Sequence, residues 1–97
     1  MPPAYLIVEI EVKDSQAYKA YTAATPAVIA KYGGEFIVRG GRVETREGAA
    51  PAGRVVVIRF PSYEKACAFY DGEDYADLLA LRLSVTDSRA FIVEGAD

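Results

Sequence analysis

Tyr5-Leu6-Ile7-Val8-Glu9-Ile10-Glu11-Val12 decides the fold. Leu6, Val8, Ile10 and Val12 fall on one side of an extended chain, and Tyr5, Ile7, Glu9 and Glu11 on the other. A two-residue period of this kind is a strand, because successive side chains point to opposite faces. One face is wholly apolar and needs a helix against it. The other mixes apolar and acidic residues.

Asp14 follows as a helix N-cap, its short carboxylate placed to accept a first-turn N–H. Tyr18, Tyr21, Thr25, Ile29 and Tyr32 then recur at helical spacing. Pro26 lacks an N–H and predicts a kink or restart. Gly33-Gly34 ends the helix. A second strand is expected from Glu35, continuing past Gly40-Gly41 to Arg46, with the glycine pair read as a bulge or as backbone N–H groups offered to an anion. Gly48 to Gly53, with Pro51, reads as a loop, and Arg54 to Phe60 alternates as a third strand. Ser62 caps a helix carrying Ala66, Phe69 and Tyr70 inward, and Asp71-Gly72 breaks it. A further helix from about Glu73 to Ser84 carries Tyr75, Leu78, Leu79 and Leu81, and Arg89 to Glu94 is the last strand.

The order is βαββαβ. It predicts an α+β, ferredoxin-like fold: a four-stranded antiparallel sheet with helices on one face, in a single domain over residues 1–97. The second sheet face carries Tyr5, Ile7, Val55, Val57, Phe91 and Val93 among Glu9, Glu11, Arg39, Arg59 and Arg89. A water-facing sheet is more uniformly polar, so this face predicts a homodimer of packed sheets. With 52% of its residues apolar, a chain this short gains from such shared burial.

Composition excludes several classes. The net charge is −3 and the isoelectric point about 4.9, against the basic excess of a nucleic-acid binder. With no histidine and one cysteine, Cys-His nucleophiles and the common zinc sites are excluded. Cys67 is expected as a buried core thiol. No cofactor and no metal are implied. Neither a signal peptide nor a membrane-spanning run is expected, so a cytoplasmic location follows by default.

The chain resembles the family called domain of unknown function 1330, of the dimeric α+β barrel superfamily. The resemblance rests on Ala4-Tyr5-Leu6-Ile7-Val8, on Asp14, Tyr18, Tyr21 and Pro26, and on Tyr32-Gly33-Gly34-Glu35-Phe36-Ile37-Val38-Arg39-Gly40-Gly41. Glu47-Gly48, Arg54-Val55-Val56-Val57-Ile58, Phe60-Pro61-Ser62, Ala66, Tyr70, Tyr75, Arg82, Ser88 and Glu94-Gly95 complete it. It implies the ferredoxin-like fold and a dimer, but no activity. Two positions depart from the family's habit. The stretch after Glu47-Gly48 holds Ala49-Ala50-Pro51 in place of a tryptophan, and Phe69 stands where a tryptophan is common.

Two sets of residues carry candidate chemistry. Arg39, Arg42, Arg46, Arg54 and Arg59 read either as an anion site or as partners of Glu9, Glu11, Glu44 and Glu47. Arg39 and Arg82, which both match the resemblance, are the candidates to orient a ligand. Tyr18, Tyr21, Tyr70 and Tyr75 read either as the wall of a cleft for a flat organic molecule or as core residues with hydroxyls at the rim. Paired Glu9 and Glu11 fit salt bridging at the dimer face. The expected function is binding of a small acidic or carbonyl-bearing metabolite; any catalysis there is expected as a cofactor-independent oxidation, isomerisation or proton transfer. The alternative is a non-catalytic dimeric module that senses a ligand or docks a partner.

Overall fold

The computed structural model describes residues 1–96. The elements run β1 (Ala4–Val12), α1 (Ser15–Lys31), β2 (Glu35–Arg39), β3 (Arg54–Phe60), α2 (Tyr63–Asp71), α3 (Glu73–Val85) and β4 (Thr86–Glu94). All strand pairs are antiparallel, in the order β2-β3-β1-β4. This is the ferredoxin-like arrangement predicted from β1 outward.

Local chemistry sets the helix ends. The Asp14 carboxylate accepts from the Ala17 N–H at 3.0 Å, and the Ser62 hydroxyl from the Lys65 N–H at 3.1 Å. Gly33 takes the left-handed conformation, φ 79°, that closes α1. The helix does not restart at Pro26 but runs through it. The Thr25 hydroxyl donates to the Tyr21 carbonyl on the preceding turn at 2.6 Å.

The apolar sheet face meets the helices as expected. Leu6, Val8 and Ile10 of β1 and Val56, Ile58 and Phe60 of β3 are buried with Ile29, Phe69 and Tyr75 from the helices. The opposite face is bare. Ile7 pairs with Val57 on one side and Phe91 on the other, and Phe91 and Val93 are about half exposed. Charge pairs flank this apolar patch: Arg89 donates to Glu9 at 2.6 Å, and Arg59 pairs with Glu35.

Three expectations are corrected. The second strand stops at Arg39, and residues 41–53 form an exposed connection without strand pairing. Gly40 takes φ 74° there, a conformation that turns the chain out of the sheet. Arg39 does not belong to the bare face. A bulge lies between Phe36, which opposes Ile58, and Val38, which opposes Val57, so that Arg39 opposes Val56 on the helix side. One extra residue reverses the side-chain phase. Cys67, expected in the core, is partly exposed, because its side of α2 lies over a shallow groove rather than the sheet centre.

Candidate functional site

The bulge in β2 and the start of β3 aim two guanidinium groups toward the helices. Arg39 lies over the Phe36 ring, 4.2 Å from its centroid. Arg54 opposes Ile10 and so also faces the helix layer. Its guanidinium lies against Gly40, where an added Cβ would stand 2.8 Å from Nη2. Among the described residues neither arginine has a carboxylate partner.

Both arginines edge a cavity between the sheet and α1. Tyr18, Tyr21, Phe36 and Tyr75 line it with them. It offers about 40 Å³ to the centres of water molecules, room for about three waters. Its lining is largely apolar and contains no carboxylate.

Helical spacing brings the tyrosines together. Tyr18 and Tyr21 stack with centroids 5.3 Å apart, and Tyr21 meets Tyr75 edge-on at 6.3 Å. The Tyr21 and Tyr75 hydroxyls share a 2.5 Å hydrogen bond. Burial, then the neighbouring Tyr21, push the Tyr75 phenol far above its ordinary value. Burial likewise raises Tyr18, opposed by the positive charges of Arg54, Arg82 and Arg39. Both phenols therefore keep their protons at neutral pH.

Arg82 stands behind this wall. It is 1% exposed, although the next residue, Leu83, is 57% exposed. Nη2 donates to the Tyr70 hydroxyl at 3.1 Å, while Nε and Nη1 are buried without a partner among the described residues. Its charge reaches both Tyr18 and Tyr75. Tyr70 is half-buried and faces a neighbouring groove with Tyr63 and Cys67. Of the six predicted residues, then, Tyr18, Tyr21, Tyr75 and Arg39 surround one cavity, Arg82 backs it, and Tyr70 turns to the next groove. Arg54, present in the arginine cluster but not singled out, is the residue sequence reasoning missed. Its place in phase with Val56, Ile58 and Phe60 in the strand alternation was the available signal.

The raised Tyr75 pKa has a consequence for stability. The unfolded chain releases this proton near pH 10.0, whereas the folded chain holds it well beyond. The contribution is complete below pH 10 and is lost as pH rises from there toward the folded value. Stability should fall by about 1.4 kcal/mol per pH unit for this group in that window. Denaturant unfolding between pH 9 and 12, on the protein and its Tyr75→Phe variant, checks the slope. The variant should be flatter by that amount.

A family model described as "Domain of unknown function (DUF1330)" matches residues 3–96. No curated protein matches the chain. Among solved structures, the RPA0582 protein of unknown function from Rhodopseudomonas palustris is similar at 17% identity and TM-score 0.76, covering 99% of this chain and 84% of that one. A dimeric ferredoxin-like protein of unknown function from Thermobifida fusca is similar at 16% identity and TM-score 0.65, covering 96% and 91%. SnoaB, a cofactor-independent oxygenase from Streptomyces nogalater, is similar at 11% identity and TM-score 0.67, covering 100% and 96%. At these identities the likeness shows the shared fold. No described helix is long and apolar enough to cross a membrane.

Proposed function

From a chain that belongs to the DUF1330 family, whose description names no reaction, we propose a small-molecule-binding protein whose cleft takes an acidic or carbonyl-bearing organic ligand. The observation that carries this reading is Arg82. A guanidinium stays charged in proteins, and a charge this deeply buried is costly without a counter-charge. Its Nε and Nη1 have no acceptor among the described residues. An anionic or carbonyl oxygen brought between Arg82 and the Tyr21–Tyr75 hydroxyls would meet that demand, and the apolar walls would hold a single ring or short chain.

The cofactor-independent oxygenase among the structural neighbours supports a catalytic form of the same reading. In that form the ligand supplies its own acidic C–H or O–H. The proton passes to water, and the arginines and phenols stabilise the enolate or phenolate left behind. The lining has no carboxylate, imidazole or thiol to act as base, which favours the second reading, a binding module without chemistry.

Titration of isotope-labelled protein with benzoate, followed by NMR, tests the site. Shifts should concentrate at Tyr18, Tyr21, Tyr75 and the Arg82 Nε–H. Absence of any shift at these groups through millimolar benzoate would sink the reading.

A second copy of the chain is proposed to cover the bare sheet face, supported by the dimeric ferredoxin-like neighbour. Phe91 stands on that face from the edge strand β4, beside Ile7 of β1. Phe91→Glu should leave a folded monomer, measured by native mass spectrometry and circular dichroism. A dimer of unchanged affinity would place the interface elsewhere.

A further inference from the structure

We infer that the ligand of this cleft carries two separated anionic groups, one met by Arg82 with the Tyr21–Tyr75 hydroxyls and the other by Arg39 and Arg54 at the mouth. This rests on the binding reading above and goes further, to the ligand's charge.

Independent structural features deliver the two cationic ends. Arg82 reaches the wall from α3 and is buried. Arg39 is turned inward by the β2 bulge and braced by Phe36. Arg54 is brought in by the β3 register and lies against Gly40, a position where any larger residue would push it away. Both mouth arginines are exposed, yet both edge the cavity.

The other arginines on the sheet behave differently. Arg59 pairs with Glu35 and Arg89 with Glu9. Arg39 and Arg54 at the cavity's edge, and Arg82 behind its tyrosine wall, have no carboxylate among the described residues, and all three act on the Tyr18 phenol. A monoanion would engage one end of the cleft only. A dianion with its charges at opposite ends would answer both, since guanidinium groups grip carboxylates with paired N–H donors. The small volume between the ends restricts the spacer to a ring or short chain.

The test compares benzoate with phthalate, isophthalate and terephthalate, which hold a second carboxylate at increasing separation on the same ring. Affinities are measured by NMR titration at fixed ionic strength. One dicarboxylate should bind on the order of tenfold more tightly than benzoate, the effect of one added charge-assisted contact. Arg39→Gln and Arg54→Gln, at exposed positions, should each reduce that advantage. Equal affinities for benzoate and all three dicarboxylates would overturn the inference while leaving the binding reading intact. A dicarboxylate advantage untouched by both variants would also overturn it, by placing the second charge elsewhere. Failure of all four acids to bind would bring down both.

Discussion

Arg82→Met should make the protein more stable and, at the same time, unable to bind an acidic ligand. The ligand-free protein holds a charge that is 1% exposed, has no carboxylate partner among the described residues, and leaves two nitrogens unpaired. An unsatisfied buried donor costs about 1–3 kcal/mol. Apolar residues of similar volume in place of buried charges are often neutral or stabilising. Methionine keeps an unbranched stem and a good helix propensity, so α3 should tolerate it. The expected gain is about 1–3 kcal/mol, reduced by the lost Tyr70 bond. Denaturant midpoints measure the gain, and the benzoate titration measures the loss. If Arg82→Met unfolds the protein more readily by a similar amount, Arg82 is a structural strut, and the trade of stability for a site does not hold.

Phe69→Ala should cost about 3–5 kcal/mol, the usual range for a buried aromatic cut back to a methyl. Its ring packs against Tyr75 at 4.5 Å, Phe60 at 5.3 Å and Tyr32 at 5.9 Å. It thereby joins α2 to α3, to the sheet and to the end of α1. A domain of this size has about 5–15 kcal/mol in total, so the loss is a large share of it. Phe69 also lines the cavity. The variant should therefore accept a bicyclic acid such as naphthoate that the parent rejects, provided the titration is run well below its unfolding midpoint. Loss of under about 1 kcal/mol, with no gain in ligand size, would mean that the neighbours collapse into the space.

Much of the fold was legible because its signals are local. Period-two alternation marks β1 and β3 from a few adjacent residues. Asp14 and Ser62 announce helix starts through hydrogen bonds that span three positions. Gly33 announces a helix end through its own backbone angle. Tyr18 and Tyr21 were bound to share a face with Thr25 and Ile29 once α1 formed.

The misread positions depend on partners far away in the chain. Composition extends strand two to Arg46, yet a strand needs a neighbour to bond. β3 begins only at Arg54 and leaves residues 41–53 without one. The exposure of Cys67 follows from where α2 lies across β4, and Tyr70 faces the same groove. Nothing within α3 says that Arg82 is buried and Leu83 exposed. That depends on how α3 docks onto α1 and α2.

The sequence by itself determined the element order, the caps, the apolar sheet face and the candidate tyrosines, because each follows from bonds and periods within a few residues. Only the tertiary structure decided which arginines face the cleft. The β2 bulge sets the phase of Arg39, and helix docking buries Arg82. These are long-range pairings, and a side chain's direction relative to the core is known only when its partner across the sheet is known.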